Sequence, residues 1–367
     1  MQIAAVHNMH SAGNEYADFI YTLLEEEALK KGYTVQHWGR QAGASLKENT
    51  LVNIGCKYSS QLAAGIWYGI TLPSILKKMN ASVLINLDGV IHHSVQIPQS
   101  AVTGNVSLLF DKKQCNTQTE IFAANSYNRS KGRPCSFIVP SAAQQKLLTR
   151  ENNNASADII YYTPMLPARQ VQWHEKLMIK AKESGNTEYF LSVIDDDMDT
   201  FMILMKAFSK FKKWQQSSMQ FILISSNDFL MDEINEKLSS YKYRNDVKLL
   251  TGASAGRSED LVCAAYAFIY IQQQPISVSD LLSVMQNGTP VICSGNSELN
   301  GYSDDAVVQV EKNNAEALGD AMLHLYKNEN TRTQKSEAGI QRVSLYKKED
   351  QAQKLWSFLL YSAGGDI

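Results

Sequence analysis

Three consecutive aspartates, Asp195, Asp196 and Asp197, stand between an apolar run and an apolar helical pattern in "YFLSVIDDDMDTFMILMKAF". Carboxylates at the end of a buried strand suit two kinds of chemistry. They can bridge Mg²⁺ to the phosphates of a ligand, or they can cap the next helix and complement its positive end. Capping is the favoured interpretation because aspartate is a preferred cap residue. Asp195 and Asp197 remain the weaker candidates for metal ligands.

Histidines mark two further places where chemistry is expected. His10 precedes Gly13 in "HNMHSAGNEY", a turn that suits an acceptor or phosphate loop as well as a plain strand-to-helix turn. His92 follows Asp88 in "DGVIHH", where a histidine with a pKa near neutrality could act as a general base. The favoured alternative is an exposed histidine pair at a strand end. The pair of His7 and His10 has no third ligand at helical spacing, so it does not predict a zinc site.

The elements that must position these residues alternate between strand and helix. Each predicted strand is nearly continuous in apolar residues, which is typical of parallel sheets covered on both faces. The predicted fold is α/β, with two doubly wound, Rossmann-like parallel-sheet domains that face a cleft at the carboxyl ends of their strands. The clearest strands are "QIAAVHNM", "YTVQHWG", "ASVLINLDG", "YFLSVI", "MQFILIS", "AFIYI" and "PVICSG".

A change of composition divides the chain. Residues 166–188 are polar and begin close to two prolines, which predicts a connector. The predicted domains are therefore 1–165 on the acceptor side and 189–345 as a nucleotide-sugar-binding-like domain. Residues 346–367 are predicted as a helix that crosses back to the first domain.

Composition excludes several classes of protein. The 367 residues are 44% hydrophobic and 20% charged with a net charge of −2, which indicates a globular protein without affinity for nucleic acid. Five scattered cysteines without a CxxC pair fit a reducing cytoplasm. We expect no signal peptide and no membrane span, which needs ~20 apolar residues, so peripheral contact is the most that a membrane is expected to make.

Several motifs resemble one known family. "NGTPVICS" followed by "NSEL" is the most specific, and "IPQSAV" and "FIVPSAAQQKLL" occur in the expected order in the first half. The chain resembles the family-4 retaining glycosyltransferases (glycosyl transferases group 1) over nearly its whole length. The resemblance implies the GT-B fold, a nucleotide-sugar donor in the second domain and an acceptor in the first.

The departures from this family fall on its functional positions. The family's two glutamates correspond to Pro275 and Ser283, and its histidine corresponds to Gly104. The basic residues that grip the donor diphosphate correspond to the region of Asp195 to Asp199. Since carboxylates repel a diphosphate, the resemblance implies a degenerate donor site.

The remaining candidate site residues follow from this alignment. The donor-binding candidates lie in the first strand-to-helix turn and around the helix start that follows Pro275. The acceptor candidates lie after the first-domain strands. The donor candidates are Gly13, Asn14, Ser277, Ser279, Asp280 and Ser283, and the acceptor candidates are His10, Asp88, His92 and Asn105.

Three functions from different classes remain open. The favoured hypothesis is a glycosyltransferase-like protein with lost or weakened sugar transfer, which binds a glycan or nucleotide or acts as a scaffold in surface-glycan biosynthesis. The second is an active retaining glycosyltransferase with a rebuilt donor site. The third is a metal-dependent enzyme, because the aspartates also resemble the DxD motif of the GT-A class. A nucleotide sugar is the expected ligand, Mg²⁺ is disfavoured, and another glycosyltransferase or a second copy is an expected partner.

Overall fold

The structure is a computed structural model that describes residues 2–6, 15–31, 34–38, 60–130, 135–164, 168–169, 171–194, 197–225, 231–251, 258–271, 277–294 and 297–362. The chain divides into two compact units. The first unit consists of Met1–Tyr162 and Lys347–Ile367, and the second of Thr163–Tyr346. The predicted domain boundaries stay predictions, because compact units describe contacts and not independent folding.

The first unit contains a six-stranded sheet and the helices that flank it. Its strands are β1 (Gln2–Val6), β2 (Thr34–Trp38), β3 (Val83–Asn86), β4 (Gln99–Val102), β5 (Cys135–Val139) and β6 (Ala155–Ile159). Its helices are α1 (Glu15–Lys31), α2 (Gln61–Ile66), α3 (Leu72–Lys78), α4 (Ser107–Phe110), α5 (Gln118–Ser130), α6 (Ala142–Glu151) and the late α15 (Lys348–Ser362), with a π-helical segment at Trp67–Thr71 and a 3₁₀ turn at Lys112–Gln114.

The second unit repeats this plan. Its strands are β7 (Tyr189–Ile194), β8 (Gln220–Ser225), β9 (Val247–Thr251), β10 (Ala267–Tyr270), β11 (Val291–Ser294) and β12 (Val308–Val310). Its helices are α7 (Trp173–Ser184), α8 (Met198–Trp214), α9 (Met231–Ser239), α10 (Ser258–Ala264), α11 (Val278–Gln286), α12 (Ser297–Ser303), α13 (Ala315–Lys327) and α14 (Glu329–Val343), with a 3₁₀ turn at Arg244–Asp246.

Both sheets are entirely parallel and doubly wound. The strand order is β2-β1-β3-β4-β5-β6 in the first unit and β12-β11-β10-β7-β8-β9 in the second. The central strands are buried along their whole described length, as in β3 and β10, because helices cover both faces of such a sheet. The predicted fold class is confirmed. Residues 173–184 of the predicted connector form α7, which belongs to the second unit.

Helices α8 and α13 pack against the second sheet through a cluster of aromatic rings. Phe211 on α8 meets Phe190 on β7 edge to face, with ring centroids 5.2 Å apart. The two helices approach closely at Gly319, where an added Cβ would stand 3.1 Å from the carbonyl oxygen of Ala207. Glycine therefore sets the spacing between these helices, because any side chain there would force them apart.

Helix α15 returns the end of the chain to the first unit and packs on α1. Lys348 at its start forms a 2.7 Å ion pair with Glu26, and Gln351 accepts a 2.8 Å hydrogen bond from the backbone N–H of Tyr161. Trp356 and Leu359 are fully buried. The first unit therefore depends on residues from both ends of the sequence.

Within the described residues, no helix is both long enough and apolar enough to cross a membrane. Four described cysteines, Cys115, Cys135, Cys263 and Cys293, carry free thiols.

We expect Trp356→Ala to lower the free energy of unfolding by ~3–5 kcal/mol, because it leaves a large cavity in a packed core. Trp214→Ala is the matched control, since Trp214 is 66% exposed whereas Trp356 is 0% exposed. Denaturant unfolding followed by far-UV circular dichroism checks both variants. Equal destabilisation by the two substitutions would contradict the packing of α15.

Candidate functional site

The winding of the first sheet creates a gap at the carboxyl ends of β1 and β3. These strands are neighbours, but β1 leads outward to β2 and β3 leads in the opposite direction to β4. In open α/β sheets, ligands bind outside the carboxyl ends of the strands at this reversal. Asp88 and His92 follow β3 at this edge, and Asn105 follows β4. His10, Gly13 and Asn14 come after β1 and lie outside the described residues.

The second sheet reverses between β7 and β10. Asp197 follows β7, and the helix α11 that begins after Ser277 follows β10. Asp195 and Pro275 lie outside the described residues. Among the described candidates, Asp88 and His92 follow a strand at the reversal of the first sheet, and Asp197 and Ser277 follow strands at the reversal of the second.

A network of buried polar side chains closes the carboxyl end of β3. The backbone N–H of Asp88 donates to Asn86 Oδ1 at 3.1 Å, which fixes the orientation of the amide. Asn86 Nδ2 then donates to the Tyr68 hydroxyl at 3.1 Å, and that hydroxyl reaches Asp88 Oδ2 at 3.5 Å. All three residues are buried, so the network positions the Asp88 carboxylate through partners on two different elements.

Tyr68 reaches this network from the π-helical segment. Pro73 in the next turn has no backbone N–H and cannot continue the ladder of an α-helix. The N–H of Leu72 instead donates to the carbonyl oxygen of Trp67, a π-type bond. π-Helical turns occur frequently at functional sites, where they redirect side chains.

Hydrogen bonds from Gln99 and Ser126 hold the loop after β3, so His92 has a defined position. Gly89 adopts φ +74°, a conformation that glycine tolerates and that turns the chain away from Asp88. Gln99 brackets the backbone of His92, accepting from its N–H at 3.0 Å and donating to its carbonyl oxygen at 2.9 Å. Ser126 on α5 donates to the carbonyl oxygen of Ile91. These contacts fix the position of the His92 imidazole.

The His92 ring lies in an aromatic stack and is only 6% exposed. It stacks on Tyr68 and Phe122 at centroid distances of 5.9 and 6.3 Å and on His93 at 4.4 Å. The backbone N–H of Ser94 donates to His92 Nδ1 at 3.3 Å. In the neutral ring the proton is therefore on Nε2. Nε2 has no hydrogen-bond partner among the described residues.

The structure corrects two expectations about these histidines. His93 is exposed, but His92 is buried, so they are not the exposed pair that the sequence favoured. Burial, together with the positive charges of His93 and Arg129, lowers the pKa of His92 to about 4. The expected pKa near neutrality is therefore wrong for His92, and the Ser94 N–H occupies Nδ1, the ring nitrogen that would take up a proton.

Asn105 and Gly104 serve the local fold after β4. Asn105 is exposed, and its Oδ1 accepts from the N–H and the hydroxyl of Ser107 at 3.1 and 2.6 Å. These bonds form a turn at the start of helix α4, whose cap position is Val106. Gly104 contributes no side chain where the family histidine was expected.

In the second unit, Asp197 caps α8. Its Oδ1 accepts from the N–H of Asp199 at 3.0 Å, and its Oδ2 accepts from the hydroxyl of Thr200 at 2.5 Å. Both carboxylate oxygens are therefore engaged in starting the helix. No group of three or more potential metal ligands occurs among the residues that the structure describes, a range that omits Asp195 and Asp196.

The side chains of Ser277 and Ser283 form hydrogen bonds with the backbone of α11. Ser277 accepts from the N–H of Asp280 at 3.2 Å as the amino-terminal cap. Ser279 is 1% exposed, and its carbonyl oxygen accepts from the hydroxyl of Ser283 at 2.8 Å. Asp280 is exposed in the first turn. The helix ends at Gln286, and Gly288, with φ +72°, turns the chain just beyond it.

Three residues that hold Asp88 or His92 in place, Tyr68, Asn86 and Gln99, were not among the predicted site residues. Two sequence signals could have indicated Tyr68 and Asn86. A polar residue closes the apolar strand "VLIN", and Pro73 interrupts a helical pattern just after Tyr68. Gln99 leaves no comparable signal.

By sequence, the chain matches no family model and no curated protein. Its structure is similar to that of a glycosyltransferase from Rickettsia africae, with 12% identity, coverage of 100% of this chain and 99% of that chain, and a TM-score of 0.73. HepE from Anabaena in complex with UDP has 11% identity, coverage of 98% and 100%, and a TM-score of 0.75. WaaG, a glycosyltransferase involved in lipopolysaccharide biosynthesis, has 11% identity, coverage of 98% and 99%, and a TM-score of 0.69. The expected GT-B-like fold is thereby confirmed.

We expect Asp197→Ala to destabilise the protein by ~1–2 kcal/mol and Asp197→Asn to cost only a few tenths, because asparagine caps a helix as well as aspartate does. Thermal unfolding with and without Mg²⁺ checks this. A metal-dependent stabilisation that Asp197→Asn abolishes would contradict the capping role.

We expect acidification from about pH 7 to about pH 5 to destabilise the wild type by ~2 kcal/mol more than His92→Phe. Folded His92 has a pKa of about 4, whereas an unfolded histidine titrates near 6.5. The unfolded state therefore binds more protons between these values, and stability falls as the pH falls through this window.

Denaturant titrations at both pH values measure this difference. His93→Phe is the comparison variant: it removes a smaller cause of the lowered pKa than burial, so it should reduce the pH dependence less than His92→Phe does. An unchanged pH dependence in His92→Phe would contradict the lowered pKa.

Proposed function

We propose that this protein is a glycan-binding member of the GT-B fold class in which sugar transfer from a nucleotide sugar is lost or strongly weakened. It acts as a binding or scaffolding partner in the synthesis of a surface glycan. The observation that carries the proposal is in the second unit. There Asp197, Ser277 and Ser283, which were expected near the donor, form hydrogen bonds within their own helices.

Three observations support the loss of donor binding. Asp197 uses both carboxylate oxygens to cap α8. The Ser283 hydroxyl donates to the Ser279 carbonyl oxygen and is thus turned toward its own helix. The Ser279 side chain is buried. These side chains have little left to offer a ribose or a diphosphate.

Electrostatics adds to this argument. The helices that begin at the reversal of the second sheet carry Asp197 and Asp199 at one start and Asp280 at the other. A diphosphate brings about two negative charges, and two like unit charges ~4 Å apart repel by ~4 kcal/mol at an intermediate dielectric. The positive end of a helix offsets only ~0.3–1 kcal/mol at an exposed position. Charge therefore disfavours a nucleotide diphosphate at this edge.

The first unit supports a role in binding. Its network holds the Asp88 carboxylate and the Nε2–H of His92 on rigid elements at the reversal of the sheet. Polar side chains at the reversal of an open α/β sheet are typical of small-molecule sites. The structural likeness to WaaG, which is involved in lipopolysaccharide biosynthesis, supports a surface glycan as the context.

An active retaining glycosyltransferase with a rebuilt donor site is the alternative. The likeness to HepE, which has been solved in complex with UDP-glucose, favours it. The two proposals differ in turnover. Losing one preorganised electrostatic group usually lowers the rate by ~10²–10³-fold, so an enzyme without the family's groups needs replacements from this chain.

We expect no release of UDP from UDP-glucose above the buffer background when the full chain is incubated with neutral methyl glycosides as acceptors, with or without Mn²⁺. A coupled assay for free nucleotide measures this. We expect UDP and UDP-glucose to leave the melting temperature unchanged, because only ligands that bind the folded state raise it.

Ser283→Ala is the matched variant for this experiment. It removes the hydroxyl at a former glutamate position and should behave as the wild type does. Heat-sensitive UDP release, or a rate that Ser283→Ala alters, would overturn the proposal in favour of the active enzyme.

A further inference from the structure

A row of exposed aliphatic side chains lies along the outer side of residues 60–80. Leu62, Ile66 and Ile70 are 75%, 52% and 69% exposed, and they are spaced one turn apart along α2 and the π-helical segment. A single exposed apolar residue is ordinary on a protein surface, but three on successive turns form a continuous apolar surface. We call these three residues the outer stripe.

The π-helical segment keeps the outer stripe straight. In an α-helix, residues four apart drift by ~40° around the axis at each step. The wider turn at Trp67–Thr71 offsets this drift, so Ile66 and Ile70 stay in line. The same turn carries Tyr68, which is fully buried on the inner side. One local distortion therefore separates a buried inner side from an apolar outer side.

The charges beside the outer stripe have one sign. Lys77 and Lys78 are exposed in the last turn of α3, and none of residues 60–80 is acidic. The whole chain has a net charge of −2, so this segment is positive against the overall balance. Apolar side chains followed by basic ones are typical of helices that lie on anionic membrane surfaces.

We propose that the outer stripe docks this protein on the surface of an anionic lipid bilayer. The three aliphatic side chains enter the headgroup region, and Lys77 and Lys78 face the lipid phosphates. The contact is peripheral, because no helix among the described residues is long and apolar enough to cross a membrane. This proposal goes beyond the proposed function and does not depend on it, since docking requires neither glycan binding nor sugar transfer.

A second copy of this chain fits the same face less well. In a twofold-symmetric dimer the same surface of both copies meets itself. The lysines of one copy would then face a segment without a carboxylate, whereas anionic lipids supply negative charge. Residues 60–80 also expose no aromatic or arginine side chain, the types that contribute most to binding between proteins.

Co-sedimentation of the full chain with vesicles tests the proposal. One set of vesicles is phosphatidylcholine alone, and the other also contains about 30% phosphatidylserine. We expect binding to the anionic vesicles and at least about tenfold weaker binding to the neutral ones. Salt at about 1 M should reduce the binding to anionic vesicles to the neutral level, because it screens the lysines.

A matched pair of variants assigns the binding to the outer stripe. Ile70→Ser should weaken binding to anionic vesicles by about tenfold, because it removes a large apolar side chain from the contact. Met178→Ser on α7 is the control, since Met178 and Ile70 are both 69% exposed, and it should bind as the wild type does. Both positions are exposed, so the melting temperature should not change in either variant.

A second pair of variants tests the lysines. Lys77→Gln combined with Lys78→Gln should weaken binding to anionic vesicles by about tenfold and leave binding to neutral vesicles unchanged. Lys112→Gln combined with Lys113→Gln is the control, because these lysines are also adjacent and exposed but directly follow Asp111. The control should bind both kinds of vesicle as the wild type does.

Three results would overturn the proposal. They are no binding to anionic vesicles, equal losses in a variant and its control, and a dimer in analytical ultracentrifugation that Ile70→Ser dissociates. The last result would assign the outer stripe to a second copy of the chain. Release of UDP from UDP-glucose would overturn the proposed loss of catalysis and leave membrane docking unaffected, so the two proposals fail separately.

Discussion

In each sheet, the strand order proceeds in opposite directions from two adjacent central strands. This topology determines where a ligand can bind. Two adjacent parallel strands send their following segments to opposite sides, so the edge between them stays open. Asp88 and His92 in one unit and Asp197 and Ser277 in the other lie beside that edge. The GT-B fold provides the position, but the side chains at the position determine the chemistry.

The two units use that position differently. In the second unit, polar side chains next to the reversal satisfy helix ends, which stabilises α8 and α11. In the first, Asn86, Tyr68 and Gln99 hold other polar groups in place. The second-unit side chains bond to the start of their own helices and stabilise them, whereas the first-unit side chains bond between elements that are distant in sequence and fix the loop at the sheet reversal. This contrast is why we assign ligand binding to the first unit.

Local patterns predicted much of this structure. Continuous apolar strands predicted parallel sheets, and capping by the aspartates was predicted because a cap involves residues only two or three positions away, as Asp197 shows. The environment of His92 could not be predicted in this way. It depends on rings from the π-helical segment and from α5, which are distant in sequence. The position of the proton on the His92 ring depends on one backbone N–H, that of Ser94 in the loop. No sequence periodicity predicts the direction in which this N–H points.

The return of α15 to α1 makes the first unit discontinuous, with the whole second unit inserted into it. During synthesis the chain emerges from its amino end and domains generally fold as they are completed. The inserted unit is complete before Lys348 has been made, whereas the unit that surrounds it must wait for its last helix. Until α15 has been made, the nascent chain leaves uncovered the face of α1 on which α15 packs, and in this interval a chaperone that binds apolar surface has a natural target.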